Sequence, residues 1–212
     1  MDDWPDIRAT YDAVAKDYAE QFDDELSRKP FDRDLLDRFA GLVRAGPVLD
    51  VGCGPAHVGA RLAERGAAVT GLDLSGESVA EAARRHSNLT FVQGTMVALP
   101  VRDRSLAGIV AFYSVIHLPR TSVSQALAEM RRALRPEGHT LIAVHGGEGT
   151  ATADDWFGHP VSVAATLFAD DELPALAEAA GLRVDESIER DPYEFESQTR
   201  RLYLLASRPE DA

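Results

Sequence analysis

Short apolar runs alternate with longer amphipathic stretches along most of this chain. Seven runs read as strands: Pro47–Val51, Ala68–Leu72, Thr90–Gln93, Gly108–Tyr113, Thr140–Val144, Leu182–Glu189 and Leu202–Ala206. Helical spacing fills most of the gaps between them. From Ser122 to Leu134, the residues Val123, Ala126, Leu127, Met130 and Leu134 form one apolar stripe. Arg131, Arg132 and Arg135 sit toward its C-terminal end, where cations suit the helix dipole, and Pro136 is expected to stop it. From Asp171 to Ala180, Leu173, Leu176, Ala177 and Ala180 make a second stripe, with Asp170 as N-cap, Pro174 in the first turn and Gly181 just past the end. Strands alternating with helices predict an α/β domain with a mostly parallel sheet. Only Arg190–Thr199, which lacks a helical pattern, joins the last two strands, so these are expected to pair antiparallel. Thr150–Pro160, "TATADDWFGHP", is the least periodic stretch and is expected to be a loop over a site.

Composition narrows the function classes. The chain has 212 residues, enough for one domain with a substantial core. Cys53 is its one cysteine, so an intrachain disulfide and a multi-thiolate zinc site are excluded, and a reducing cytoplasm fits best. The formal net charge is -13, and basic residues cluster only in pairs such as Arg84–Arg85, Arg131–Arg132 and Arg200–Arg201. That balance argues against a nucleic-acid partner and for a small-molecule substrate. The opening "MDDWPDIRAT" has no apolar core of a signal peptide, and no run is long enough to span a membrane.

The chemistry concentrates in "VLDVGCGPAH", Val48–His57. Gly52 and Gly54 fall at the C-terminal end of the first strand, where open α/β sheets bind ligands and glycine lets backbone approach them. Asp73 ends the second strand, about 20 residues beyond the loop, the distance at which an acid grips a ribose. Its competing use is to cap the next helix near Ser75–Gly76. A dinucleotide fingerprint would need a third glycine where His57 stands, and Asp50 puts an anion where a pyrophosphate would approach. The acid suits a cationic ligand better.

Taken with "GLDLS", "NLTFVQGTMVALPV", "DRSLAGIVAFYSVIHLP" and "LRPEGHTLIAV", this loop resembles the successive motifs of class I S-adenosylmethionine-dependent methyltransferases, in their small-molecule branch. The resemblance covers roughly Tyr11 to Val144. It implies a single domain over 1–212 with a Rossmann-like, doubly wound seven-stranded sheet, mostly parallel with an antiparallel C-terminal strand and helices on both faces. Residues 1–30 would form an N-terminal helical cap and 145–170 a substrate-side loop. It implies S-adenosyl-L-methionine as cofactor, S-adenosyl-L-homocysteine as product and methyl transfer to O, N or C of a small acceptor. Asp50, Gly52, Cys53 and Gly54 match the loop around the methionine part, Asp73 the ribose acid and Leu74 the residue beside the adenine. Gly94, Thr95 and Met96 match the turn that reads the adenine edge. Tyr113 and Ser114 match the end of the fourth strand near the methionine amine. Ala56 replaces the loop's usual third glycine and is expected to be tolerated if its φ is negative. Thr95 stands where an acid is common.

"ATYDAVAKDYAEQF" places Tyr11, Tyr18 and Phe22 on one helix. By the same resemblance, Tyr11 and Tyr18 are expected over the methionine carboxylate. As general bases for an acceptor, His145 is the first candidate and His117 the second, both after strands at the carboxyl edge. His145 precedes Gly146–Gly147, flexible backbone beside a substrate. No metal site is expected, Asp154, Asp155 and His159 reading as a solvated loop. Trp156, Phe157, Tyr193 and Phe195 are candidates for an apolar acceptor wall. A cofactor-binding protein without catalysis and an NAD(P)-dependent oxidoreductase are the competing classes.

Overall fold

The computed structural model describes residues 6–43 and 46–210, so the first five residues of the expected cap lie outside it. The helices are α1 (Ile7–Phe22), α2 (Pro30–Val43), α3 (His57–Glu64), α4 (Gly76–Arg85), α5 (Arg120–Ala133) and α6 (Glu172–Ala179). The strands are β1 (Pro47–Val51), β2 (Ala68–Asp73), β3 (Thr90–Gln93), β4 (Leu106–Phe112), β5 (Leu134–Gly146), β6 (Thr150–Trp156), β7 (His159–Thr166), β8 (Arg183–Arg190) and β9 (Arg200–Ser207). Seven of them form one sheet in the order β3-β2-β1-β4-β5-β9-β8. β1 pairs in parallel with β2 and β4, and β9 runs antiparallel between β5 and β8. This is the Rossmann-like, doubly wound arrangement expected from the sequence. Among the described residues, no helix is long and apolar enough to cross a membrane.

Each face of the sheet carries its own core, because strand side chains alternate between faces. On one face, Leu127 and Met130 of α5 and Leu173 and Ala177 of α6 cluster with Ile109, Ile142 and Leu204. On the other, Leu36, Phe39 and Val43 of α2 and Val58 and Leu62 of α3 cluster with Val48, Val110 and Leu141. Burying each large side chain contributes about 1.5–3 kcal/mol. α1 packs on α4 and β7. Asp12 of α1 accepts from the Ser75 hydroxyl and from the Glu77 N–H, so it steadies the N-terminus of α4.

The stretch expected as a loop is a hairpin. β6 and β7 pair antiparallel as a separate two-stranded sheet. Phe157 and Gly158 at its turn both have positive φ, +55° and +79°, the pattern of a tight two-residue hairpin turn. β6 is mostly exposed, so its sequence lacks the apolar-polar alternation of a half-buried strand. α5 also ends before Pro136, running directly into β5 at Leu134, so Arg135 lies in the strand. Asp171, rather than Asp170, is the N-cap residue of α6.

A buried ionic network fastens α2 to the C-terminal strands. Asp32 accepts from Arg190 (2.8 Å) and from the Tyr203 hydroxyl (2.9 Å). Arg190 also pairs with Glu196 (2.7 Å), which pairs with Lys29 (2.8 Å). Removing one member of such a group leaves its partner charged and buried. Asp32→Ala is therefore expected to cost about 3–5 kcal/mol and to lower the thermal midpoint by roughly 10 °C. Circular-dichroism melting checks this, and a shift of only a degree or two would show that water replaces the carboxylate freely.

Candidate functional site

A cavity opens at the carboxyl ends of β1, β2 and β4, where strand order reverses between β1 and β4. It is lined by Tyr11, Tyr18, Asp50, Gly52, Cys53, Gly54, Asp73, Leu74, Gly94, Thr95, Met96, Tyr113 and Ser114, so every residue expected at a cofactor meets there. His117 joins them and His145 does not.

The loop after β1 turns tightly because Gly52 has no side chain. A Cβ on it would lie 2.3 Å from the Ser114 Cβ, and its φ is +69°. The N–H groups of Gly52 and Cys53 both donate to the Leu72 carbonyl (2.7 and 3.0 Å). Ala56 departs from expectation: its φ is +65°, in the left-handed region, just before α3 begins. The glycine that lets α3 approach the sheet is Gly59, where a Cβ would meet Asp50 Oδ2 at 2.9 Å.

That contact sets the electrostatics. Asp50 is 2% exposed and its carboxylate lies beneath the first turn of α3. Burial pushes its pKa up to about 7, with nearby His57 pulling the other way. Its Oδ2 has no hydrogen-bond partner among the described residues. The positive end of α3 thus faces an acidic side chain, which disfavours a bound pyrophosphate there. The Cys53 thiol is buried and pushed well up, so it stays protonated.

Asp73 does not cap α4. Ser75 does, accepting from the Ser78 N–H at 3.0 Å. The Asp73 oxygens accept from the N–H groups of Gly54 and Ser75 (both 2.9 Å), each keeping a lone pair for another donor. Burial raises its pKa, against those backbone bonds. Leu74 beside it is 41% exposed, an apolar platform in the cavity wall. The Thr95 hydroxyl accepts from the Val97 N–H at 3.4 Å and so closes its own turn.

The two tyrosines of α1 do different things. A Cβ on Gly54 would lie 3.8 Å from the Tyr18 ring, placing that ring over the glycine loop. The Tyr11 hydroxyl meets His117 Nε2 at 2.8 Å. His117 Nδ1 lies 3.0 Å from the Ala164 carbonyl, which can only accept, so Nδ1 carries the proton. Nε2 of the neutral ring then accepts from Tyr11. Burial lowers the His117 pKa and favours that neutral form, with the bond to Ala164 opposing.

His145 is placed elsewhere. Its ring stacks on Tyr113 (centroids 5.0 Å apart) and its Nδ1 meets the Thr199 hydroxyl at 2.9 Å. Burial, then the charges of Arg201 and Lys29, push its pKa down to about 3. It sits behind the cavity wall because β5 continues to Gly146 and is covered there by β9. The expected acceptor wall also divides. Trp156 packs on Tyr11 and Tyr18 (5.7 and 6.0 Å), while Tyr193 and Phe195 stack on each other under Arg190 and Arg28. His159 pairs with Asp17 of α1 at 2.8 Å, and Asp155 accepts from the Gly158 N–H in the hairpin turn.

Sequence reasoning missed His57 and Glu25. His57 lines the cavity, and its Nε2 lies 3.3 Å from Glu25 Oε2. Burial raises the Glu25 pKa, but the bond from His57 and the charge of Lys29 outweigh it and hold the acid at about 2. The two residues are far apart in sequence, and no spacing rule joins them.

A family model described as a methyltransferase domain matches residues 48–138, the stretch that builds most of this cavity. The chain is 34% identical over 100 residues to a demethylmenaquinone methyltransferase of Chlorobaculum tepidum, covering 47% of this chain and 40% of that protein. It is 31% identical over 132 residues to a malonyl-[acyl-carrier protein] O-methyltransferase of Enterobacter lignolyticus, covering 62% and 50%. The chain thus spans about half or less of the length of these relatives. Its fold is similar to a solved SAM-dependent methyltransferase of Methanosarcina mazei, with TM-score 0.71, 19% identity and coverage of 78% and 93%.

The His145 geometry has a consequence for stability. The unfolded imidazole titrates near 6.5, so below that pH the unfolded state takes up a proton that the folded ring resists down to about 3. Folding stability is therefore lost as pH falls from 6.5. His145→Gln is expected to lose about 1–2 kcal/mol less than the parent between pH 7.5 and pH 5. Urea unfolding at the two pH values measures the difference, and equal losses would mean that the ring is protonated where it stands.

Proposed function

We propose that this chain, which belongs to the class I S-adenosylmethionine-dependent methyltransferases, transfers a methyl group from S-adenosyl-L-methionine to a small, largely apolar acceptor. The observation that carries the reading is the convergence of the glycine loop, Asp50 and Asp73 on one cavity at the strand-order switch. The residues fit this cofactor. Asp73 offers lone pairs to the ribose hydroxyls and Leu74 an exposed apolar contact for the adenine. The unpartnered Asp50 oxygen suits the cationic amino-acid end, and Tyr18 covers that end from above. An NAD(P)-dependent oxidoreductase is disfavoured by the same Asp50, which competes with a pyrophosphate for the end of α3.

When bound, the cofactor supplies a methyl group on a sulfonium, a leaving group that needs no proton. The protein's task is then to align the acceptor, exclude water and remove a proton where the acceptor carries one. Tyr11 and His117 are arranged for that removal. The Tyr11 oxygen takes the acceptor proton on its cavity side while its own proton passes to His117 Nε2, and the Ala164 carbonyl steadies the imidazolium through Nδ1. His117 thus replaces His145 as the favoured base, because it lines the cavity and His145 does not. Ile7, Met96 and Leu118 supply apolar wall to the same cavity. The two curated relatives differ in acceptor by name, so neither acceptor is carried over. The single, buried Cys53 suits the reducing cytoplasm.

Calorimetry is the first test: S-adenosyl-L-homocysteine is expected to bind and NAD not to bind. Asp73→Asn should weaken binding by about tenfold or more through its ribose contact. Turnover of a metabolite panel then separates an enzyme from a non-catalytic binder. On an acceptor carrying a proton, Tyr11→Phe and His117→Asn should each lower kcat about a hundredfold, and the double variant no further. S-adenosyl-L-homocysteine affinity should stay within about threefold in both. Multiplicative losses in the double variant would remove the Tyr11–His117 pair from the mechanism.

A further inference from the structure

We infer that the β6–β7 hairpin arms the Tyr11–His117 pair: docked on α1, it fixes the tautomer in which His117 takes a proton from Tyr11, and Trp156 is the positioning residue that docks it. The inference rests on the proton-removal reading above and adds to it the element that sets the direction of the transfer.

The hairpin is held differently at its two ends. At its root, the Phe168 N–H donates to the His145 carbonyl and the Gly147 N–H to the Phe168 carbonyl, both at 2.9 Å. Beyond the root, among the described residues, no strand ladder joins β6 or β7 to the seven-stranded sheet. Two strands alone are marginal in water. β6 is mostly exposed, so the hairpin's place depends on what β7 and the tip meet. β7 pairs with β6 along one edge, which leaves alternate carbonyls on the other. That of Ser162 accepts from the Thr10 hydroxyl at 2.9 Å, and that of Ala164 from His117 Nδ1 at 3.0 Å. At the tip, the Trp156 ring lies against both Tyr11 and Tyr18, with centroids 5.7 and 6.0 Å apart. The tip's ion pair, His159 with Asp17, joins two half-exposed side chains and contributes little. Phe157 is exposed, so Trp156 is the main apolar anchor.

Through Ala164 the hairpin reaches the chemistry. A neutral imidazole carries its proton on one nitrogen and accepts on the other. Facing the Ala164 carbonyl, Nδ1 carries the proton, Nε2 is bare, and Tyr11 donates to it. With the hairpin undocked, Nδ1 loses that carbonyl. The other tautomer then becomes accessible, in which Nε2–H donates to the Tyr11 oxygen. That reverses the pair: Tyr11 turns its own proton toward the cavity, and Nε2 can no longer receive one. An acceptor's proton has a path through the pair only while the hairpin is docked. Tyr11 lies at both contacts, against Trp156 and against His117, so anchor and relay share a side chain.

The test reads the tautomer directly, by nitrogen NMR of the full chain with isotopically labelled histidine rings, His117→Asn assigning the signals. The parent is expected to show a protonated Nδ1 and a bare Nε2 at neutral pH. Trp156→Ala should convert this to a mixture of the two tautomers, and Trp156→Phe should restore it. Thr10→Val, which removes the bond to Ser162 and keeps the side chain's volume, should shift it the same way by less. Melting midpoints within about 5 °C of the parent show that each variant has folded. Where Trp156→Ala fails that control, Thr10→Val carries the comparison. On an acceptor carrying a proton, found with the metabolite panel, Trp156→Ala should lower kcat about tenfold, as the docked fraction falls, and Trp156→Phe should stay within about twofold. A parent ring protonated on Nε2, a tautomer unmoved in the folded variants, or a Trp156→Phe protein that behaves like Trp156→Ala would each overturn the inference, whether or not kcat falls. A tautomer that shifts while kcat holds would instead overturn the Tyr11–His117 reading, and the arming role falls with it.

Discussion

The reversal of strand order between β1 and β4 is the constraint on which the rest of the structure depends. The chain leaves the ends of these neighbouring strands in different directions, and the crevice between the two connections is the cavity. Keeping that crevice open strains the backbone. Ala56 and Tyr113, neither a glycine, hold φ of +65° and +51° on its two sides. Such residues cost about 1–3 kcal/mol each and persist only where their surroundings hold them. For Tyr113 the surroundings are visible: its N–H donates to the Ala143 carbonyl, its hydroxyl bonds to Asp32 and Tyr203, and its ring lies on His145. His145 is best understood as part of that brace.

The same brace runs around the back of the site. From Tyr113 it passes to Asp32, Arg190, Glu196, Lys29 and Glu25, and it returns to the cavity at His57. Its acids Asp32, Glu196 and Glu25 are matched by Arg190 and Lys29, with Arg201 beside Glu196. Buried ion pairs add little net stability, because removing each charge from water offsets the attraction. This one supplies position. It ties the segment before α2 and the β8–β9 connection to opposite ends of the cavity wall, so neither strained tyrosine nor imidazole can shift alone.

The parts of this arrangement legible in the sequence are those that follow from local pattern. The parallel strands are short and apolar, α3 and β3 have clear boundaries, and Gly52, Gly54 and Asp73 sit at fixed offsets from strand ends. Their meeting at one cavity is therefore readable from spacing. What could not be read depends on partners distant in sequence. The hairpin β6–β7 has little buried apolar surface to set a period, and only the Phe157–Gly158 turn marks it. His145 follows a strand in sequence just as His117 does. The difference arises because β9 pairs beside β5 and covers it, whereas the chain after β4 turns into the cavity. Glu25 and Asp12 act through residues on other elements and carry no local signature. Ala56 was legible as a departure from glycine, but its φ was not, since a small side chain tolerates the left-handed region at a modest cost.

Asp50 shows how function and stability pull apart in this site. An unfolded aspartate titrates near 3.9, and burial raises this one to about 7. As pH rises between those values the unfolded chain gives up its proton while the folded chain keeps it, so the group costs the fold stability, up to a few kcal/mol by neutral pH. A chain selected for stability alone would place a neutral residue under α3. A positive ligand reverses the balance, because it favours the ionised carboxylate and binds only the folded state.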